Sequence, residues 1–509
     1  MRRFSFFIDI YKSSYHTKTS SIISQNRIFC QVNPLNPNVL SKRYATGEIN
    51  HIFSDEGKVG SERDLWIAVL SAQKKLGLDI PEGVVEAYTS ARDNIDLGLI
   101  NEIELRTKHD VKARIEAFNQ AAGGHEFIHL GMTSRDLTDN VEQLQIMEAS
   151  RIIHGKYVSV LRHMLDKAKD YRGIELTART HHQPAQTTLL GRRFSMWAEE
   201  LYLHLMEFEV FIENYPLRGI KGPVGTQFDM GKLLGSREKA LDLEVIISDK
   251  LGFKEVLNSP GQVYPRSLDY KLISQLAALT SACENFAKTI RLMAGYELVT
   301  EGFRDGQVGS SIMPHKMNTR STERVCALSE LVKMYADGAS RLAGDQWEEG
   351  DVSCSAIRRV LIPDAFYASD GIVETTLNVL NQMGTYPAVI SKEVDRYLPF
   401  LATTEVLAIA VKSGIGREEA HSIIKKHAIA EALGMRELGA SGNRLMVNLA
   451  SEPLFKKAGI TEDSLNSILL DKIHFVGNAN SQIDAVIKKC WELIERHKKA
   501  ASYEPGDIL

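Results

Sequence analysis

The sequence predicts an all-α protein built around a bundle of long helices. Prolines are few, 14 in 509 residues, and apolar residues recur at helical spacing over long stretches. These amphipathic stretches cover residues 135–170, 190–213, 269–295, 319–345 and 361–383. The clearest of them carries a heptad seam of Leu272, Leu276, Leu279, Cys283, Phe286, Ile290 and Met293. A seam sustained over about three heptads is typical of helices that pack along their whole length.

Shorter helices are expected before the bundle. Apolar residues from Leu65 to Leu76 recur on one face of residues 61–80, and Gly77 ends the pattern. A further helix is expected over about residues 82–92. Because a single core seldom serves a chain of this length, we expect several domains. They are an N-terminal extension (1–40), an N-terminal helical domain (41–132), the long-helix bundle (133–382) and a smaller C-terminal helical domain (383–509).

The first 40 residues differ in composition from the rest. They contain five basic residues, frequent serines and a single acid, Asp9. That composition is typical of an organelle transit peptide, and an untargeted disordered extension is the alternative. We therefore expect a cytoplasmic protein, or a mitochondrial or plastid one if residues 1–40 are a transit peptide.

Overall charge and cysteine content exclude several classes of protein. The net charge of −4 gives no reason to expect nucleic acid or an anionic membrane as a partner. No apolar run is long enough to span a bilayer. The five cysteines are scattered without a Cys-x-x-Cys pair, which argues for a reducing compartment and against a zinc site or a disulfide framework. We expect no metal and no cofactor.

The stretch Gly309–Asn318 concentrates reactive side chains between a glycine-spaced loop and the helical pattern that starts near Thr319. Two serines, a lysine and an asparagine stand at the mouth of that helix, where free N–H groups favour anions. From the residues alone, a turn that merely caps a helix is the more common interpretation, since serine and threonine often cap helices. The pattern Gly-Ser-Ser-x-Met-Pro-x-Lys-x-Asn, however, resembles the signature of the fumarase/aspartase superfamily. That resemblance implies elimination of fumarate, with Ser310 as the base and Lys316 and Asn318 as substrate ligands; Ser311 remains an alternative base.

A pair of histidines follows the segment Ala178-Arg179-Thr180. On the residues alone, a lone histidine is more often structural than catalytic. The segment Thr180-His181-His182-Gln183-Pro184-Ala185 resembles a second region of the superfamily, whose first histidine protonates the leaving nitrogen. The resemblance therefore assigns the general acid to His181. Histidine suits this role because its ordinary pKa lies near ~6.5.

Other segments resemble the adenylosuccinate lyase branch of the superfamily, over about residues 40–495. They imply contacts to nucleotide, succinyl group and phosphate. The matching positions are Arg43, Tyr44, Lys108, His109, Asp110, Thr133, Ser134, Gln227, Arg324, Ser355 and Arg359. Two positions depart from the branch: Lys108 replaces a frequent arginine and loses its bidentate fork, and Gly350 stands where many members have an arginine.

Fumarate elimination from an N-succinyl group requires removal of a proton beside a carboxylate. The doubly charged product can be stabilised by N–H donors and cations, as around Lys316 and Asn318. We expect Ser310 to ionise only when its loop closes and excludes water. The branch resemblance implies a carbon–nitrogen lyase acting on adenylosuccinate and on the succinyl-carboxamide imidazole ribotide (SAICAR). It also implies a homotetramer with a central helical core and sites shared between subunits. Alternatives are another superfamily lyase, such as argininosuccinate lyase, and a non-catalytic helical scaffold.

Overall fold

The computed structural model describes residues 38–302, 312–313 and 315–506. Within these ranges the fold is helical, as predicted, and two short two-stranded sheets are added to it. In chain order the helices are α1 Val39–Arg43, α2 Gly47–Ile52, α3 Asp55–Lys75, α4 Val84–Ser90, α5 Leu97–Thr107, α6 Asp110–Ala121, α7 Ser134–Asp170, α8 Leu190–Glu213, α9 Phe228–Leu234, α10 Arg237–Leu251, α11 Ser267–Gly295, α12 Arg320–Ser340, α13 Ser355–Gln382, α14 Pro387–Leu401, α15 Thr403–Lys412, α16 Arg417–Glu437, α17 Leu445–Ala450, α18 Pro453–Lys457, α19 Glu462–Ile468, α20 Ala479–Arg496 and α21 Lys498–Ala501. The strands are β1 Glu175–Thr180, β2 Gln183–Leu189, β3 Val299–Thr300 and β4 Gly384–Thr385, and Lys472–Val476 forms a 3₁₀ turn.

Five long helices, α7, α8, α11, α12 and α13, form the bundle. The heptad seam of α11 lies in its core, since all seven of its residues are buried. Helix α7 alone has 37 residues, about 55 Å at 1.5 Å per residue. The bundle is therefore long compared with any small-molecule ligand.

Contacts along α13 fix the directions of its neighbours. Tyr335 of α12 donates to Asp364 across 3.0 Å, and Leu328, further back in α12, lies against Gly371, further along α13. Helices α12 and α13 are therefore antiparallel. Helix α7 runs parallel to α13, because Arg135 contacts Ser355 and its later residue Lys156 contacts Asp370.

Helix α13 begins earlier than the periodicity predicts. It starts at Ser355 instead of near residue 361, and Pro363 lies inside it. Its first turns are fixed by buried ion pairs: Arg358 donates to Asp269 and to Glu142, each across 2.6 Å. These tertiary contacts leave no mark in the local apolar pattern.

The β1–β2 hairpin is the main departure from the all-α expectation. Its two strands pair antiparallel from Glu175 opposite Leu189 to Thr180 opposite Gln183. A two-residue turn, His181-His182, joins them. Hairpin turns of this length usually carry glycine or asparagine, so the sequence lacks the signal by which the hairpin would be recognised.

The C-terminal region has an apolar core of its own. Buried residues between Ala402 and Leu465 form a cluster separate from the main core. Helix α20 then returns to the bundle and packs against α8. None of the helices in the described ranges combines the length and the apolar character needed to cross a lipid bilayer.

Candidate active site

The predicted acid, His181, stands at the tip of the β1–β2 hairpin. Its φ is 51° and that of His182 is 61°, so both central turn residues adopt the left-handed conformation that the twist of a hairpin requires. Histidine tolerates this region better than most residues with a side chain. Both histidines are exposed, and His182 Nε2 lies 3.4 Å from the hydroxyl of Tyr296. Of the two, His182 is thus the one with a ring contact to the end of α11.

Arg179 holds this turn in place through three contacts. It pairs with Glu393, its guanidinium lies 4.5 Å from the ring centre of Tyr296, and it donates to the carbonyl of His182 across 3.2 Å. The hairpin is thereby fixed next to the C-terminal end of α11.

Thr133 and Ser134 lie at the opposite end of the bundle, where α7 begins. Thr133 is the N-cap, and its backbone N–H donates to Asp136 across 2.8 Å. Asp136 is buried and also accepts from Arg218 (2.5 Å) and from the backbone of Lys221 (2.8 Å). The Thr133–Ser134 turn is thus locked to the loop that contains Lys221 and Gln227.

Gln227 points its amide nitrogen into the protein. It donates to the carbonyls of Ile220 (3.2 Å) and Ala240 (3.3 Å). Its φ of 56° places it at the start of α9 in the left-handed region. In this structure the side chain therefore holds its own loop, and the expectation that it contacts substrate stays a prediction.

The Lys108–Asp110 segment joins α5 to α6. Lys108 has a left-handed φ of 56°, and His109 caps α6 by accepting from Lys112 N across 3.3 Å. Lys108 and His109 are exposed, and Asp110 begins α6. The segment lies near His129, because the charge of His109 contributes to lowering the pKa of His129.

His129 is a residue of this group that was not among the predicted ones. Its Nδ1 accepts from the indole N–H of Trp66 across 3.1 Å, so its Nε2 carries the proton of the neutral ring. Burial, and to a lesser extent His109, lower the pKa of His129 to about 4. A neutral N–H donor is therefore present four residues before Thr133. Its left-handed φ of 65° could not be read from the sequence.

The predicted phosphate residues lie beside the Thr133–Ser134 turn. Ser355 accepts from Arg135 Nη2 across 2.8 Å, and Arg359 is exposed one turn later on the same face of α13. Between them Arg358 points inward and is buried with Asp269 and Glu142. Burial acts to lower the pKa of Arg358, but these carboxylates, with Tyr264, outweigh it and raise the pKa. Arg135 is the second residue that the predictions missed.

The start of the signature helix α12 is occupied by a carboxylate of the protein itself. Glu301 accepts from the N–H groups of Ser321 and Thr322, each across 2.9 Å. The expectation that this helix mouth is open to a substrate anion is therefore wrong for these two N–H groups. Nothing in the sequence near residue 320 indicates this capping contact, because Glu301 precedes the helix by about twenty positions.

The loop before α12 is only partly described. Gly302 has a φ of 102°, and a Cβ there would lie 2.5 Å from that of Gln382, so glycine is required. Ser310, Ser311, Gly306 and Gly309 lie outside the described residues. Lys316 is exposed and Asn318 half-buried.

Arg324 and Tyr44 are brought together one turn into α12. The guanidinium lies 5.4 Å from the centre of the tyrosine ring, a cation–π contact. Burial lowers the pKa of Arg324, and the neighbouring charges of Arg43 and Arg320 lower it further. Two predicted residues, Arg43 and Tyr44, thus lie beside a third, in a locally cationic surface suited to an anion.

The predicted residues thus fall into two groups. The turn group, at one end of the bundle, contains Lys108, His109, Asp110, Thr133, Ser134, Gln227, Ser355 and Arg359. The signature group, towards the other end, contains Arg43, Tyr44, His181, Lys316, Asn318 and Arg324. Because Tyr44 packs on Gly371 and Ser355 begins the same helix, about 24 Å of α13 separates the groups. Among the described residues, no hydrogen bond, ion pair or ring contact joins His181 to the Thr133–Ser134 turn or to Arg324.

Comparisons with known proteins agree with the helical fold. The profile of a family described as lyase matches residues 55–332, and that of the adenylosuccinate lyase C-terminus matches residues 399–486. The 3-carboxy-cis,cis-muconate lactonizing enzyme of Pseudomonas putida shares the fold with a TM-score of 0.76 at 19% identity, over 90% of this chain and 99% of that one. A fumarate lyase from Mesorhizobium sp. BNC1 does so with a TM-score of 0.73 at 20% identity, over 89% of this chain and 100% of that one. The chain therefore belongs to the class of helical lyases.

Full-length relatives narrow the class. The adenylosuccinate lyase of Saccharomyces cerevisiae is 33% identical over 88% of this chain and 93% of its own length. That of Schistosoma mansoni is 32% identical over 88% of this chain and 94% of its own length. The chain belongs to the adenylosuccinate lyase family of the fumarase/aspartase superfamily.

Proposed function

We propose that this protein eliminates fumarate from adenylosuccinate, giving AMP, and from SAICAR, giving the corresponding carboxamide, AICAR. Family membership supports the substrate class. The split of the polar residues into a turn group and a signature group is the structural observation that carries the rest of the proposal, because each group lacks what the other supplies.

The turn group binds the ends of the substrate. Thr133 and Ser134 face the succinyl carboxylates with the hydroxyls and N–H groups of a helix start. Ser355, Arg359 and Arg135 hold the phosphate: a hydroxyl and two planar guanidinium groups match its oxygens well. Arg135 also provides a positive charge near the segment in which Gly350 replaces an arginine common in the family.

The signature group carries out the proton transfers. Ser310 takes the proton from the carbon beside the carboxylate, and His181 gives one to the departing nitrogen. Lys316 and Asn318 stabilise the doubly charged intermediate. Arg324, supported by Tyr44, adds a further anion contact. An acid and a base on separate elements suit a trans elimination, in which they act on opposite faces of the substrate.

A single chain cannot present both groups to one mononucleotide, since about 24 Å of α13 lies between them. A second copy packed antiparallel along the bundle would place its signature group beside the first copy's turn group. We therefore propose a homotetramer whose active sites are each built from several subunits, with the long helices at its core.

The direct test is an absorbance assay of the purified full-length chain with adenylosuccinate, run beside argininosuccinate. Release of AMP and fumarate from adenylosuccinate alone is the expected result. Fumarate from argininosuccinate instead would refute the substrate assignment, and no turnover of either by a folded oligomer would favour the scaffold alternative.

A further inference from the structure

Three residues far apart in the sequence meet where the C-terminal helix α20 ends against the bundle. His154 lies on α7, Glu209 on α8, and His497 directly after α20. One potential ligand atom from each lies within 4.8 Å of the other two. The two imidazole rings are 4.9 Å apart between their centres, and His497 Nε2 lies 2.7 Å from Glu209 Oε1.

His154 is a buried imidazole with an unused nitrogen. Its side chain is 6% exposed, and its Nε2 has no hydrogen-bond partner. A buried polar atom without a partner is costly, and most such atoms in folded proteins are paired. A charged imidazolium would be poorly solvated in this buried position, which favours the neutral ring. A neutral imidazole is the form that binds metal ions.

Glu209 is held as an ionised carboxylate. Arg496 donates to both of its oxygens, across 2.6 Å and 2.9 Å. A carboxylate oriented by an outer guanidinium resembles the supporting contacts that ligating carboxylates receive at metal sites.

We propose that His154, Glu209 and His497 form a binding site for a divalent transition metal such as Zn²⁺. Two imidazoles and one carboxylate are a ligand set that Zn²⁺ accepts, with water in the fourth position. Coordination replaces the hydrogen bond between His497 and Glu209: the His497 proton moves to Nδ1 through solvent, and Nε2 binds the metal. Arg496 keeps its hydrogen bond to the other carboxylate oxygen.

The role of such a metal is structural. The three ligands come from α7, α8 and the end of α20, so a bound ion fastens the C-terminal helix to the bundle. Ser134 and His154 are 20 residues apart on one helix, or about 30 Å. The metal site is thus distinct from the turn group and does not depend on the proposed reaction.

Cobalt provides a test with a direct optical signal. The full-length, tag-free protein is freed of metal with a chelator and titrated with Co²⁺, whose visible bands report coordination by protein ligands. We expect bands that saturate at one Co²⁺ per chain and disappear when Zn²⁺ is added. We also expect Zn²⁺ to raise the thermal midpoint by a few degrees.

Matched variants identify the ligands. His497→Ala removes a half-exposed ligand and should abolish both the bands and the Zn²⁺ shift, and Glu209→Gln should weaken both. His427→Ala is the control, because His427 pairs with Glu452 across 2.8 Å in the C-terminal region and should leave both signals unchanged. The absence of bands in the unmodified protein, or bands of equal strength in His497→Ala, would overturn the proposal.

Discussion

Arg135 Nη2 donates to the hydroxyl of Ser355 across 2.8 Å, although 220 positions separate the two residues in the chain. Arg135 also pairs with Asp139 one turn along α7, at 3.1 Å, which holds its guanidinium in place. The start of α7, with the predicted succinyl residues, is thereby joined to the start of α13, with the predicted phosphate residues. Both ends of one nucleotide substrate can be bound there.

Replacing Arg135 with alanine should weaken substrate binding more than it slows turnover. Loss of a charge-assisted hydrogen bond costs about 1.5–3 kcal/mol, equivalent to an increase in KM of roughly 10- to 100-fold. Steady-state kinetics with adenylosuccinate measure this. Arg151→Ala is the control, since Arg151 is an exposed arginine of α7 that contacts only the Gly252 carbonyl among the described residues. An unchanged KM in Arg135→Ala would exclude Arg135 from the phosphate site.

The hairpin turn permits a matched comparison of its two histidines. Asparagine tolerates the left-handed conformation of both positions, so His181→Asn and His182→Asn should both preserve the turn. We expect His181→Asn to lower kcat by about 10²- to 10⁴-fold, the usual contribution of a general acid. His182→Asn should retain most activity, because its ring contacts Tyr296. The opposite ranking would move the acid to His182.

Glu301 should contribute to the stability of the signature helix. In Glu301→Gln one oxygen is replaced by an amide nitrogen, so the N–H of Ser321 or Thr322 loses its acceptor and the helix N-terminus loses a favourable charge. The expected loss of unfolding free energy is about 1 kcal/mol. Urea denaturation measures it. Glu330→Gln, an exposed change on the same helix, should have a smaller effect, and equal effects would show that the capping contact is unimportant.

The pKa of His129 predicts a dependence of stability on pH. Its folded pKa of about 4 lies below the ordinary value of ~6.5. Below pH 6.5 the unfolded chain therefore binds a proton that the folded chain does not, and stability is lost as the pH falls towards 4. At pH 5 the loss is about 2 kcal/mol.

The variant His129→Asn isolates that contribution. Asparagine keeps an acceptor for the Trp66 indole and tolerates the left-handed φ, but it does not titrate. Between pH 7 and pH 5 the variant should lose about 2 kcal/mol less unfolding free energy than the unmodified protein, measured by denaturation at both values. Identical losses would show that His129 is protonated alike in both states.

The bundle could be predicted because long helices leave a periodic trace. The seam from Leu272 to Met293 is buried throughout, and α8 has the predicted bounds. The β1–β2 hairpin could not be predicted, because its turn is His-His. The first turns of α13 were missed for another reason: Arg358 is fixed by partners from α7 and α11, and such contacts have no local pattern.

The residues of the candidate site could be predicted where they belong to a contiguous sequence motif. Contacts between distant segments could not: Arg135 reaches Ser355, Trp66 fixes the tautomer of His129, and Glu301 fills the helix mouth before residue 320. The proposed metal site was also not predictable, since its ligands come from three separate helical segments. Each of these features depends on the packing of helices and appears only once the bundle is assembled.

The central claim is that the turn group of one subunit and the signature group of another act on one substrate. Co-expression of Ser134→Ala chains, altered in the turn group, and Ser310→Ala chains, altered in the signature group, with different tags and isolation of mixed oligomers, tests this directly. Each variant alone should be nearly inactive, whereas the mixed oligomers should regain part of the fumarate release from adenylosuccinate, because some sites then combine intact residues from both chains. Mixed oligomers as inactive as the separate variants would contradict a site shared between subunits.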